Sequence, residues 1–224
     1  MFELNNDLEI KVARVCGRSL VVVDNFYKNP DVVRQLCIDN IDNVGAPGHL
    51  PGKRICVKTS EVKDKLYDFY FGLCSDHNLW NRELNGINFY QEWNKVGFNV
   101  NIISDDSIDE DRHGLIPHQD TYYPSTNPNV QFGSVIYLNK PEECAGGTNV
   151  YTYQDEISIP KIPFVLNPDS ITQFIENNPE WKVAHTFEMV YNRMVLYQSD
   201  ILHGPIYEQG MFTDHNRMNQ ILFM

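Results

Sequence analysis

The spacing of apolar positions changes partway along the chain. Residues 19–27 (SLVVVDNFY) are β-branched and apolar, which predicts a strand. The strand runs into Asn29-Pro30-Asp31, which offers a capping side chain, a proline at the first helical position and an acid in the first turn. A helix is therefore expected through about Asp39, with Val32, Val33, Leu36 and Cys37 on its apolar face. A Gly/Pro-rich loop over 45–52 (GAPGHLPG) leads to a second helix from about Ser60 to Leu73, where Val62, Leu66, Phe69, Tyr70 and Leu73 recur at helical spacing. Both helices are amphipathic and are expected to cover one face of a sheet.

From Asn88 onward the pattern shortens to apolar or alternating runs separated by Gly, Pro, Asn and Asp. The runs are 89–93, 98–103, 130–138, 148–153, 164–166, 183–187, 193–197 and 220–223. Short strands at this spacing predict an antiparallel sandwich or barrel. No repeat, low-complexity segment or linker divides the chain. One domain is expected, with a helical support region over about 1–87 and a β core over about 88–224. The acidic stretch 105–112 (DDSIDEDR) reads as a solvated loop.

Composition narrows the classes. Hydrophobic residues make up 42% of 224, enough for a core and too many for wholesale disorder. No apolar run reaches membrane-spanning length, and residues 1–7 (MFELNND) lack the regions of a signal peptide, so a soluble, cytoplasmic protein is expected. The five cysteines include no CxxC pair, which argues for free, mostly buried thiols over a disulfide framework or a thiolate zinc site. A net charge of -12 repels phosphate backbones, and no clear basic patch offsets it, so nucleic acid is not the expected partner and the acidity is read as keeping the protein soluble.

The chemistry concentrates in residues 116–124, IPHQDTYYP. In an extended chain His118 and Asp120 project to the same side and can reach one metal ion. His203, within 199–205 (SDILHGP), is the natural third ligand: the strand RMVLYQ delivers it and a Gly-Pro turn is expected to follow. Two imidazoles and one carboxylate on one face of an octahedron leave positions open, the arrangement of non-haem iron(II) oxygenases. With seven His and seventeen Asp, chance alone supplies roughly half an HxD triplet per chain, so the ordered context carries the weight. One element of that context is Arg217, opening the strand-like RMNQILFM. An arginine fork suits a carboxylate through two parallel charge-assisted hydrogen bonds.

Taken together, HxD, SVIYLN (134–139), GGTNVY (146–151), NRMVLYQSDILHGP and an Arg-bearing last strand resemble the 2-oxoglutarate/Fe(II)-dependent dioxygenase superfamily, and within it the prolyl-hydroxylase-like branch that includes small bacterial and phage members. The likeness covers about residues 88–224. It implies a double-stranded β-helix, the cupin-like jelly-roll, backed by helices. It also implies Fe(II) held by His118, Asp120 and His203, with 2-oxoglutarate as cosubstrate and its distal carboxylate on Arg217 and Tyr137. Substrate and O2 would then meet at the metal, with hydroxylation of a peptidyl residue or small molecule as the outcome. Asn101 or Asn99, on the strand FNVNII, would contact the cosubstrate, a polar solvent face being the plain alternative. The interval from His203 to Arg217 exceeds the family's usual spacing, so an inserted loop over 207–214 is expected.

Other residues draw weaker expectations. His113 is a loop residue, His185 a satisfied sheet residue, and His215 could line the cleft. Tyr122 and Tyr123 could form a lid or simply pack. Gly146-Gly147 should form a tight turn needing positive φ. Two other classes stay open: a catalytically silent jelly-roll binding protein, and a cupin-like metalloenzyme that does not use 2-oxoglutarate.

Overall fold

The computed structural model describes residues 1–42, 53–57, 61–77, 98–104, 117–120, 132–159, 171–208 and 210–223. The expected strands at 89–93 and 164–166 and the loops at 45–52 and 105–112, with His113, Tyr122 and Tyr123, lie outside the described residues.

Ten strands and three α-helices are described: β1 (Glu9–Val15), β2 (Arg18–Asp24), α1 (Pro30–Asp39), β3 (Lys53–Val57), α2 (Glu61–Asp76), β4 (Phe98–Ile103), β5 (Phe132–Tyr137), β6 (Gly147–Tyr153), α3 (Ile171–Asn177), β7 (Trp181–Glu188), β8 (Met194–Gln198), β9 (His203–Ile206) and β10 (Arg217–Phe223). The strands form a seven-stranded sheet in the order β1-β2-β8-β5-β10-β4-β3 and a three-stranded sheet in the order β7-β6-β9. Every pairing is antiparallel. The chain crosses from the large sheet to the small one between β5 and β6 and back between β7 and β8. It then crosses again to β9 and returns to β10, which is the winding of a jelly-roll, or double-stranded β-helix.

Side-chain parity divides the interior into layers. On β8, Met194 and Leu196 enter one cluster while Val195 and Tyr197 enter another, as period-two alternation requires. The first cluster joins the large sheet to the helices through Val33 and Cys37 of α1 and Val62, Leu66, Tyr70, Leu73 and Cys74 of α2. The second fills the space between the sheets with Val150, Phe187 and their neighbours. Covered on both faces, β5 and β8 are buried along their whole length, which is why their sequences read as continuous apolar runs.

The structure departs from the sequence reading at particular places. On α1, Val32 is exposed at 47% because it lies off the stripe that Val33, Leu36 and Cys37 turn inward. Asn29 occupies the N-cap position of α1 but makes no side-chain cap bond. The front of the chain adds β1 and β3 to the large sheet beside β2, which is the strand expected at 19–27, and α3 is an element that the sequence pattern does not predict. In place of a Gly-Pro turn after His203, Gly204 and Pro205 belong to β9, with Pro205 paired to Thr148. Proline is tolerated there because β9 is an edge strand. Cys16, Cys37, Cys74 and Cys144 are free thiols, and burial pushes Cys37 up to about 12.

Gly146 and Gly147 have φ of 67° and 144°, and they lead into β6 with the neighbouring backbone close by. A Cβ on Gly147 would stand 2.0 Å from the Phe187 carbonyl oxygen, and one on Gly146 would stand 2.5 Å from that of Ile206. Gly147→Ala should therefore force the small sheet apart and cost on the order of 3 kcal/mol. A chemical-denaturation midpoint equal to that of the parent protein would contradict this.

Candidate metal centre

His118 and Asp120 lie on a short extended segment docked against the chain after β8. A single antiparallel bridge joins His118 to His203, each amide donating to the other's carbonyl at 2.8 and 2.9 Å. The Asp120 amide donates to the Ser199 carbonyl at 2.8 Å. With the backbone pinned at both residues, alternation sends His118 and Asp120 one way and Gln119 the other. The Gln119 amide nitrogen donates to the Asp200 carbonyl and to the Ser158 hydroxyl.

The three expected ligands come together. The ligand atoms of His118, Asp120 and His203 lie within 4.8 Å of one another. His203 Nε2 is 3.6 Å from Asp120 Oδ2, beyond hydrogen-bond range. The separation is near the roughly 3 Å expected between neighbouring ligand atoms around an ion bound at ~2.1 Å. Asp120 Oδ2 is buried with no hydrogen-bond partner among the described residues, a costly state for a carboxylate unless a cation takes the oxygen. His203 Nδ1 faces the Ile201 carbonyl at 2.9 Å and must carry the proton there, so Nε2 presents its lone pair toward Asp120. Burial lowers the His203 pKa to about 4, which keeps the ring neutral, as a metal ligand must be.

Two residues absent from the sequence expectations shape this corner. A Cβ on Gly133 of β5 would meet Asp120 Oδ2 at 2.7 Å and Tyr197 Cε2 at 2.8 Å, so only glycine leaves the carboxylate its place. The buried Tyr197 ring lies 4.5 Å from that of His203 and braces it from β8. The interruption of an apolar strand by a lone glycine is the one sequence signal that could have pointed to Gly133.

The same cavity holds the expected anion anchor. It occupies about 570 Å³ including its open mouth, and its walls include His118, Asp120, His203, Asn101, Thr148 and Arg217. Arg217 is 4% exposed, and its hydrogen bonds run to Asn219 Oδ1 at 2.9 Å and to the Gly147 carbonyl at 3.1 Å. Its Nε has no partner, and no carboxylate pairs with it among the described residues. Burial works against its charge and lowers its pKa. Tyr137 stands behind it, with the guanidinium 5.9 Å from the ring centre and the hydroxyl donating to Thr148 Oγ1 at 2.8 Å. Asn101 lines the cavity with its Oδ1 accepting from Arg54 Nε at 3.2 Å, whereas the Asn99 side chain lies outside the described residues. His185 packs edge-on against Phe187, and His215 meets the Glu143 carbonyl; neither lines the cavity. Tyr207 and Phe212 of the expected loop stack on each other and enter the inter-sheet core.

Gly133→Ala should displace the Asp120 carboxylate and weaken Co(II) binding at least roughly tenfold, beside a stability loss of about 1–3 kcal/mol from crowding the Tyr197 ring. Undiminished Co(II) affinity by calorimetry would rule out the steric argument. The His203 ring gives a second expectation. Its folded pKa lies below the unfolded value of about 6.5, so the unfolded chain binds more protons between pH 6.5 and 4, and apo-protein stability falls as pH drops through that window. In His203→Leu this share of the slope, at most about 3 kcal/mol, should disappear from a pH series of unfolding curves.

No protein-family model matches the sequence, and no curated protein matches it. Solved structures do. A prolyl 4-hydroxylase from Pseudomonas putida superposes with a TM-score of 0.52 at 13% identity, over 92% of each chain. The α-ketoglutarate-dependent carbocyclase SnoK from nogalamycin biosynthesis follows at 0.47 and 9%, over 92% of this chain and 79% of that one. An N-substituted L-amino acid dioxygenase from Burkholderia ambifaria gives 0.44 and 11%, over 100% and 95%. Only the first likeness is close enough to bear on the architecture: the chain shares the double-stranded β-helix fold of that prolyl 4-hydroxylase.

Proposed function

We propose that the chain is a non-haem Fe(II)- and 2-oxoglutarate-dependent oxygenase, acting as a hydroxylase on a peptidyl residue or a small molecule. The observation that carries this reading is the co-location, in one cavity, of a His-Asp-His cluster and a buried arginine with no carboxylate partner among the described residues. The donor set fits the metal: two neutral imidazoles and one carboxylate suit ferrous iron and leave sites for further ligands. The buried guanidinium fits the cosubstrate, since an uncompensated charge at that depth is strongly relieved by a carboxylate.

Each group then has a task. His118, Asp120 and His203 would hold the iron, with the Ile201 carbonyl fixing the His203 tautomer. Arg217 anchors the distal carboxylate of 2-oxoglutarate, with Tyr137 and Asn101 beside it, and thereby orients the keto acid toward the metal. Ile103, Val135 and Ile221 line the cavity with apolar surface and limit water around the reacting atoms. When bound, iron would let O2 act as the four-electron oxidant: two electrons come from 2-oxoglutarate, which leaves as succinate and carbon dioxide with one oxygen atom added, and two from the substrate C–H bond, which takes the other oxygen atom and becomes an alcohol.

Anaerobic addition of Fe(II) and 2-oxoglutarate should produce the weak visible charge-transfer absorption of the chelate. His118→Ala and Asp120→Ala should lose iron retention, while Arg217→Ala should keep iron and weaken 2-oxoglutarate binding roughly a hundredfold. A protein that retains iron and turns over substrate unaffected by Arg217→Ala is a metalloenzyme of another kind. One that binds no iron is a silent jelly-roll.

A further inference from the structure

A second cavity shares no wall residue with the candidate metal centre. It holds about 710 Å³ including its open mouth and lies between β1 and β2 of the large sheet and β7 of the small one. Ala13, Val22 and Phe187 give it an apolar lining, and Lys11, His185 and Arg193 bring polar groups to it. Both β1 and β7 are edge strands, so the groove is an open seam of the sandwich. Along that seam β1 is unprotected. Natural edges are blunted by proline, by bulges or by very short length. β9 carries Pro205 and the bridge to His118, β7 pairs through a register shift, and β3 has five residues. β1 instead runs seven residues in unbroken register against β2, with no proline. Its one lysine, Lys11, is drawn back onto Asp24 at 2.9 Å.

The hairpin settles which backbone groups of β1 face outward. Cys16 and Gly17 form its two-residue turn at φ of 47° and 77°, and Val15 pairs with Arg18. In a two-residue hairpin that closing pair exchanges both hydrogen bonds, so by alternation Ala13, Lys11 and Glu9 also bond to β2. The N–H and C=O groups of Ile10, Val12 and Arg14 therefore point away from the sheet. The side chains of the same three residues are exposed: Ile10 at 45%, Val12 at 39%, and Arg14 without a partner among the described residues. Residues 9–24 hold three basic and two acidic side chains in a chain of net charge -12, so this hairpin favours an acidic partner. We infer that the β1 edge and the seam behind it dock an extended segment of a partner protein, apolar at alternate positions and acidic opposite Arg14. The segment pairs with the outward ladder, covers Ile10 and Val12 with one set of side chains and lays the other set over Ala13, Val22 and Phe187. A second copy of this chain fits less well. Antiparallel pairing of two β1 strands about Val12 sets Arg14 against Ile10, and pairing about Lys11 sets lysine against lysine.

Hydrogen exchange followed by NMR on the full chain reads the ladder directly. In the free protein the amides of Ile10, Val12 and Arg14 should exchange at least roughly a hundredfold faster than those of Lys11 and Ala13. The docking probe is a fluorescein-labelled peptide that alternates leucine and threonine and carries glutamate at each end, followed by anisotropy. It should bind and slow exchange at all three outward amides, while a version ending in lysine should bind about tenfold more weakly. Val12→Pro removes an outward N–H without touching the β2 ladder, so it should abolish binding with little change in the unfolding midpoint. Val12→Thr keeps the N–H and should keep binding within about threefold. Arg14→Glu should reverse the preference between the two peptides, and this arm stands even if Val12→Pro fails to fold. Equal binding in Val12→Pro, an unmoved preference in Arg14→Glu, or no binding of the glutamate peptide overturns the inference. So does protection of the outward amides in the free protein: protection that grows with protein concentration assigns the edge to a second copy, and constant protection assigns it to the chain's own residues. The metal centre takes no part in any of these measurements, so a failure here leaves the oxygenase reading as it stands.

Discussion

A buried guanidinium and a carboxylate with one buried oxygen face one cavity without neutralising each other. The Arg217 guanidinium and the Asp120 carboxylate both line it, and neither is matched by an opposite formal charge in hydrogen-bonded contact among the described residues. Left free to move, such groups would pair, because a buried ion with a partner is far less costly than one without. The backbone prevents it. Asp120 is held through its amide by Ser199, and Arg217 is tied by Asn219 and by the Gly147 carbonyl. On the proposed function, a metal at one end and a carboxylate at the other would relieve both costs from outside. A ligand carrying a metal-chelating group and a distal carboxylate answers both requirements at once.

That separation depends on β10 being central. Paired to β5 on one side and β4 on the other, the strand has no freedom to slide. Its odd-numbered residues Arg217, Asn219 and Ile221 line the cavity, while Met218 and Leu222 pack into the helix-backed core. A shift of one residue would move the guanidinium into the apolar layer against α1 and α2, and both pairings would have to slip together. The helices act on the site through this constraint. They make the far face of the large sheet too apolar to accept Arg217.

Much of this was legible in the sequence wherever the signal is local. The HxD spacing is a period-two pattern, and it holds because residues 117–120 are extended. His203 could be singled out because an apolar strand runs up to it. Helices α1 and α2 follow from their 3.6-residue stripes, and Val32 was misplaced only because one residue of phase decides which side of the stripe it joins. What escaped was the product of distant strands meeting. Gly133 is required by Asp120 and Tyr197, which come from two other parts of the chain. Thr148 and Arg54 acquire their surroundings from β5 and β4. Strand β1 alternates in sequence, yet it is an edge with exposed Ile10 and Val12, so its pattern carries no clean burial contrast. Pro205 suggested a turn because proline seldom continues a strand, and the edge position of β9 is the tertiary fact that overrides that rule.

The ligand cluster is also braced from a direction that the HxD pattern does not announce. One bridge between His118 and His203 is a slender attachment for a residue proposed to hold an ion. The middle residue of the triplet strengthens it: Gln119, turned away from the cavity, is fastened to the Asp200 carbonyl and to Ser158. Ser158 in turn donates to the Asp200 carboxylate, which is held at 2.8 Å by Arg18 from the start of β2, and the same guanidinium donates to Gln198 at 2.7 Å. The carboxylate ligand and the distal histidine flank this network, so their spacing is set by the network as a unit. Because Gln119 and its two neighbours alternate sides, locking the outward residue fixes the direction of both inward ones. Arg18, at the start of β2, thus reaches across the molecule to aim the proposed metal ligands, which ties the N-terminal strands to the candidate site as firmly as the strands that carry those residues.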